Sequence, residues 1–186
     1  MNPLLILDLD ETLVHANEDP LPIGAGWRIG PYHVYKRPHV DTFLSSMAPL
    51  YRLAAWTSSG IDYAAELIPK VFAGYQLEFA WDTTRCTVRT NIETGDRYRL
   101  KNLKKVFRRG YDKHRTLIVD DTPEKVAKQY GNHIQIREFT GDMADCELRL
   151  LALYLHHIHD NPDFRSLDKR GWRSQATGPL SAAPAP

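Results

Sequence analysis

The chain has 186 residues, 42% hydrophobic and 25% charged, enough for one globular domain with a sizeable core and too few for two comfortable ones. Basic side chains number 24 and acidic ones 23, a formal charge of +1, so bulk charge supports neither a nucleic-acid partner nor an anionic membrane surface. No apolar run approaches membrane length, no basic leader precedes the first strand, and Cys86 and Cys146 are too far apart for a metal-type spacing. Reduced thiols and a cytoplasmic location are the expectation.

Leu4-Leu5-Ile6-Leu7 is too short for a helix and predicts a strand buried on both faces. It runs into Asp8 and Asp10, one position apart, with Thr12 after them. A lone Asp-x-Asp is more often a solvated strand end, and the weight here comes from similar strand ends downstream. Asn17 to Gly30 reads as loop, with short strands around Gly30-Pro31 that carry Trp27, Ile29, Tyr32 and Val34. Pro38 opens a helix with Val40, Phe43, Leu44 and Met47 on its apolar stripe. A second strand, Tyr51 to Trp56, ends in Thr57, Ser58, Ser59 and Gly60. The helix after it, Ile61 to Phe72, is expected to bend or stop at Pro69.

From Tyr75 to Arg99 the residues alternate, which predicts a hairpin-like insertion with its turn at Asn91 to Asp96. Arg85 and Arg89 then share one face of the outgoing strand, and Arg97 and Arg99 one face of the returning strand; register decides whether the pairs coincide. A helix from about Leu100 stops at Gly110. Thr116 to Val119 is a third buried strand, ending in Asp120-Asp121, and Thr122 caps a helix reaching Gly131. His133 to Ile136 fits a fourth strand, and Met143 to His157 the strongest helix, whose terminal His156 and His157 suit the helix dipole better than a metal. Periodicity fades beyond Asn161-Pro162, and Gln175 to Pro186 has a disordered composition. The expected division is a domain over 1–160, with an insertion at about 73–99, and an extension over 161–186.

Alternating strands and helices predict an α/β fold, a doubly wound, mostly parallel Rossmann-like sheet with a small β-hairpin insertion and no large cap domain. Its strand ends bring Asp8 and Asp10, Thr57 and Ser58, and Asp120 and Asp121 to one edge. Carboxylates so gathered need a hard cation between them, and oxygen ligands of this kind suit Mg²⁺ with a phosphate-bearing substrate.

Asp8-Leu9-Asp10-Glu11-Thr12-Leu13-Val14-His15, Lys36-Arg37-Pro38-His39-Val40, Trp56-Thr57-Ser58-Ser59 and Ile118-Val119-Asp120-Asp121-Thr122-Pro123, in this order, resemble the haloacid dehalogenase superfamily. Within it they look like the phosphatases of the RNA polymerase II C-terminal domain, the small-phosphatase, NLI-interacting-factor-like branch. The resemblance covers Leu4 to His157 and implies a role for each matched position. Asp8 would be the nucleophile that forms an aspartyl-phosphate, and Asp10 the general acid and then base. Thr57, Ser58 and Lys101 would bind the phosphoryl group; Lys101 is chosen over nearby Lys104 and Lys105 by the resemblance, not by spacing. Thr12 would brace the loop. Asp8, the Asp10 backbone carbonyl and Asp121 would hold Mg²⁺, with Asp120 in support. The family pairs Asp with Asn where this chain has Asp120-Asp121, and follows its lysine with Asp where this chain has Asn102.

Superfamily ATPases carry threonine at the position of Asp10, so the acid points to phosphoester hydrolysis. The short insertion, about 27 residues from Ala73 to Arg99, suits an open site and a bulky substrate such as a phosphoserine or phosphothreonine protein or peptide. Two rivals are a small-metabolite phosphatase covered by a second subunit and a non-catalytic phospho-binding module, the latter disfavoured by the intact Asp8 and Asp10. Trp27 and Tyr32 either belong to the core or line an apolar pocket beside the substrate. Arg85 and Arg89 are either a solvated face or, should the register align them with Arg97 and Arg99, a contact for a second phosphate.

Overall fold

The computed structural model describes residues 1–90 and 95–176. The first strand, β1 (Leu4–Leu7), is wholly buried, as an apolar run flanked by two neighbours requires. Its alternate residues feed opposite layers: Leu5 and Leu7 belong to one hydrophobic cluster, Leu4 and Ile6 to another. After the loop carrying Asp8 and Asp10 come β2 (Val14–Asn17), β3 (Trp27–Ile29) and β4 (Tyr32–Lys36), which form a small antiparallel sheet in the order β2-β4-β3. The two strands around Gly30-Pro31 are those expected from sequence; β2 is an addition.

Helix α1 (Val40–Met47) buries Val40, Phe43, Leu44 and Met47, and β5 (Arg52–Trp56) then pairs in parallel with β1, Leu5 opposite Leu53 and Leu7 opposite Ala55. Helix α2 (Ile61–Val71) contains Pro69 and runs two residues past it, so the proline neither stops the helix there nor prevents Val71 from packing. In the last turn the missing N–H costs a single intrahelical bond.

The next segment departs from the expected hairpin. Its first part, β6 (Leu77–Trp81), joins the main sheet in parallel beside β5. Phe79 and Trp81 are buried while Glu78 and Ala80 are exposed. An edge strand covered on one face alternates as a hairpin strand does, so the pattern alone does not separate the two. The hairpin proper is β7 (Thr87–Thr90) with β8 (Arg97–Leu100), and residues 91–94 of the expected turn lie outside the described residues.

Because β8 extends to Leu100, α3 (Lys104–Phe107) starts later than expected and Lys101 sits in the turn between them. Strand β9 (Thr116–Asp120) pairs with the other side of β1. The segment Pro123–Asn132 is a 3₁₀ run kinked at Gln129 and not an α-helix, and the Thr122 hydroxyl bonds to Asp121 Oδ2 instead of capping it. Strand β10 (His133–Gln135) completes a fully parallel five-stranded sheet in the order β10-β9-β1-β5-β6. Helix α4 (Glu147–Ile158) begins four residues after the expected Met143.

Helices α1 and α4 cover the Leu5/Leu7 face; α3 and the 3₁₀ run supply Leu103, Val106 and Val126 to the other. The packed structure continues past residue 160. Phe164 and Trp172, from two 3₁₀ turns, are 0% and 1% exposed within the first cluster, and Trp172 Nε1 donates to the Gln135 carbonyl at 2.8 Å. The expected disorder of the tail falls, from 177 onward, outside the described residues. No helix among the described residues is long and apolar enough to cross a membrane.

Candidate active site

From β1 the chain builds outward to β5 and β6, then crosses back to place β9 and β10 on the other side, so a crevice opens at the C-terminal ends of β1 and its neighbours. Asp8 is fixed by the last rung of the sheet, its amide donating to Val119 at 3.0 Å. Beyond it the Leu9 carbonyl accepts from the amides of Thr12, Leu13 and Val14, and Glu11 takes a left-handed φ of 60°. A non-glycine residue is held there only when its surroundings over-determine it. The Glu11 carboxylate is fixed by His15 Nδ1 at 2.9 Å and its carbonyl by the Phe139 amide at 2.8 Å.

The acids separate into two environments. Asp8, 1% exposed, places Oδ1 2.8 Å from the buried Lys101 Nζ, and the Leu9 amide donates to the same oxygen at 2.8 Å. Lys101 also donates to Asp120 Oδ2 at 2.7 Å, and Asp120 Oδ1 accepts from the Thr122 amide at 2.9 Å. Both Asp120 oxygens are therefore engaged. Asp8 Oδ2 and Asp121 Oδ1 are different: both are buried and neither has a hydrogen-bond partner. Lys125 Nζ stands 3.5 Å from the first and 3.8 Å from the second, within ion-pair range and too far for a hydrogen bond.

Burial, reinforced by the Asp120 charge, pushes the Asp8 carboxyl up against the pull of Lys101 and Lys125. For Lys101 burial works the other way, but Asp120 and Asp8 outweigh it and the ammonium is raised; Lys125 is raised by Asp8 and Asp120 against the same opposition. Oxygens of Asp8, Asp120 and Asp121 all lie within 4.8 Å of one another. Two bare, buried carboxylate oxygens beside each other are costly without a cation, and they fit a small divalent ion.

Asp10 lies outside that cluster. Its Oδ2 accepts from Ser59 Oγ at 2.6 Å and Thr57 Oγ1 at 3.2 Å, and its Oδ1 from the Tyr63 hydroxyl at 2.8 Å. Ser59 and Tyr63 are absent from the sequence-based set because hydroxyls two and six residues beyond Thr57 carry no signal until the strand-to-helix turn is folded. Ser58, which is in that set, is half-buried, while the buried Thr57 receives the Ser59 amide on its Oγ1 at 3.0 Å.

Thr12 is buried and steadies the loop through its backbone: its amide bonds to Leu9, and its carbonyl accepts from Arg37 Nη1 at 2.9 Å. Its hydroxyl has no partner. Arg37, 1% exposed, is another residue the sequence leaves without a role. It chelates Asp145 at 2.9 and 2.7 Å, reaches the Arg137 carbonyl, and holds the Asp145 carboxyl below the usual carboxylate range despite partial burial.

A cleft of about 330 Å³ opens beside Asp10, lined by Glu11, Ala16, Tyr32, Ser59 and Tyr63. The Tyr32 and Tyr63 rings meet edge to face at 5.8 Å. Trp27 is instead half-buried against the core under Lys36, so the two aromatic candidates part company. The arginine face does not form. Val88 pairs with Arg99 and Thr90 with Arg97, whereas Arg89 lies opposite Tyr98 on the other face of the hairpin. Arg85 is not in the strand at all; it ends a 3₁₀ turn and its guanidinium packs over Trp81 at 5.5 Å.

Residues 3–165 match the family described as NLI interacting factor-like phosphatase. The chain belongs to this family. Among curated proteins it is 32% identical over 157 residues to phosphatase Herzog of Drosophila melanogaster, covering 79% of this chain and 41% of that protein. To the human carboxy-terminal domain RNA polymerase II polypeptide A small phosphatase 1 it is 29% identical over 173 residues, 88% of this chain and 62% of the other. The chain thus spans about two fifths to three fifths of these relatives. A solved variant of the fission yeast RNA polymerase II CTD phosphatase Fcp1, bound to beryllium fluoride, shares the fold with a TM-score of 0.57 at 16% identity, covering 94% of this chain and 49% of that one. The two chains therefore share a fold, built in this chain on the parallel five-stranded sheet.

Proposed function

We propose that this member of the family is a Mg²⁺-dependent phosphomonoesterase that works through an aspartyl-phosphate, with phosphoserine or phosphothreonine in a protein as substrate. The observation that carries it is the pair of bare, buried oxygens on Asp8 and Asp121, with Lys101 held on the other oxygen of Asp8. Asp8, Asp121 and the Asp10 backbone carbonyl would hold the ion, which supplies neutralisation of phosphoryl charge. Asp8 attacks phosphorus as the bond from phosphorus to the leaving oxygen breaks, and Asp10 gives that oxygen a proton. Asp10 then takes a proton from water, whose oxygen displaces Asp8 and releases inorganic phosphate. Lys101 opposes the upward push of burial on the Asp8 carboxyl and orients it, while the hydroxyls around Asp10 hold its carboxylate at the mouth of the cleft. Positioning and charge stabilisation of this kind account for most of phosphoryl-transfer catalysis.

The choice of a protein substrate draws on the openness of the cleft. The elements beside it are a two-stranded hairpin and a three-stranded sheet, too small for a self-standing lid. The human relative's name refers to RNA polymerase II, which agrees with a protein substrate. The test is a phosphopeptide panel run beside a phosphometabolite panel. Turnover of the peptides, lost in EDTA and restored by Mg²⁺ but poorly by Ca²⁺, is the expected result. Metabolite turnover by a dimer would replace the substrate assignment, and full activity in chelator would overturn the mechanism.

A further inference from the structure

A second cavity, separate from the cleft beside Asp10, lies between the end of the 3₁₀ run, β10 and the C-terminal segment. It encloses about 630 Å³, within the size range of small-molecule sites. Its wall carries Arg165, Lys169, Arg170 and Arg173 beside His133, with Asp168 as the single acid.

The four cations are not equivalent. Arg173 is spent on Glu147 and Arg170 on Asp168, each through two nitrogens. Arg165 and Lys169 have no carboxylate within ion-pair distance among the described residues. Their partners are neutral: Arg165 Nη1 donates to Asn132 Oδ1 at 2.6 Å, and Lys169 Nζ to the carbonyls of Phe164 at 2.5 Å and Leu167 at 3.0 Å. Asp163 acts on both and Asp168 on Lys169, without contact; Asp163 is occupied by His114 at 3.0 Å and by the Arg165 amide, and Asp168 by Arg170. Lys169 is 7% exposed, and burial followed by the Arg165 charge brings its pKa down to about 8. The ammonium still prevails at neutral pH, with one of its three donors left after two carbonyls, and most of the Arg165 donors are likewise unused.

Two cations on one cavity wall with no carboxylate in contact repel each other, and an oxyanion between them removes that cost while satisfying their free donors. We propose that this cavity is a second anion site, in which Arg165 and Lys169 bind a phosphoryl group. The volume exceeds what one phosphate needs, so the group arrives attached to something larger. Its source is either a free phosphorylated small molecule or a second phosphoryl group on a phosphoprotein. The site is distinct from the crevice yet adjoins it, because His133 Nε2 lies 2.9 Å from the Asp120 carbonyl.

The experiment follows backbone amide shifts of the full chain titrated with pyrophosphate. Gly131, Ser166 and Asp168 report on the cavity, and Thr57 and Ser59 on the crevice. The expected result is that the cavity set moves and saturates at a concentration of its own. Arg165→Gln and Lys169→Gln should each weaken that response about ten-fold or more, the scale of one charge-assisted hydrogen bond, with aryl phosphate turnover unchanged. Singly and doubly phosphorylated peptides separate the sources. A cavity response only to the doubly phosphorylated peptide assigns the substrate, whereas equal indifference to both peptides assigns a free molecule. Should the variants fail to fold, the wild-type titration decides. A cavity set that stays still in millimolar pyrophosphate, or shifts that survive both substitutions, would overturn the proposal.

Discussion

The two acids of the Asp8-Leu9-Asp10 loop are two residues apart and live in opposite surroundings. Asp8 is sealed into an ionic lattice with Lys101, Asp120 and Lys125, one oxygen saturated and the other bare. Asp10 is half-exposed and held by three neutral hydroxyls. A strand end alternates its side chains, so adjacent alternate positions share a face; the reversal of the chain at Glu11 is what lets one acid stay in the lattice while the other turns to the cleft. On the mechanism proposed above this is a division of labour: the nucleophile has fixed charges that aim it, whereas the proton carrier has partners that give up a hydrogen bond without leaving a buried charge behind.

Four substitutions break or sharpen this contrast. Asp8→Asn should act most severely, removing turnover by about 10⁴-fold or more because a neutral amide does not attack phosphorus. Activity near wild type would end the assignment of the lattice side. Asp10→Asn should cost roughly 10²–10⁴-fold with a poor leaving group and much less with a good one in the phosphorylation half-reaction. Equal losses with both, in single-turnover assays, would mean that the hydroxyl-bound acid carries no proton.

Lys125→Met probes the lattice from its bare side. Three carboxylates, Asp8, Asp120 and Asp121, there face two ammonium groups, and Lys125 is the one a divalent ion must push aside. Calorimetric titration should show Mg²⁺ bound roughly three- to ten-fold tighter by the variant, since one partly exposed like charge is removed. Its melting temperature without metal should drop. Weaker Mg²⁺ binding would show instead that Lys125 assists the ion. The smallest effect belongs to Tyr63→Phe, which deletes one of three hydroxyl donors to Asp10 and should lower kcat by about three- to ten-fold with KM nearly unchanged for a small aryl phosphate. An unchanged kcat would place Tyr63 in the cleft wall only.

The same contrast explains what could be read beforehand. β1, β5 and β9 were legible because a buried parallel strand is a short apolar run and little else produces one ending in acids or hydroxyls. Asp8, Asp10, Thr57 and Asp121 follow from those ends. Lys101 was reached only through a family resemblance, since Lys104 and Lys105 compete with it and local spacing does not say which lysine turns inward. Lys125 carries no signal in the sequence because a lysine four residues beyond Asp121 looks like a solvated i,i+4 pair. Ser59, Tyr63 and Arg37 act across folded distance. The hairpin arginines failed for a related reason, because which face a strand residue takes depends on a register that alternation leaves open.

Arg37 ties the Thr12 carbonyl, 25 positions back, to Asp145, 108 positions ahead. All the sheet residues that end in acids or hydroxyls have been synthesised once the chain reaches residue 121, but the clamp that steadies the loop closes only when Asp145 arrives. Closing so long a loop carries an entropic cost that slows folding. During synthesis the strand-end acids therefore exist before the clamp that steadies their loop can form.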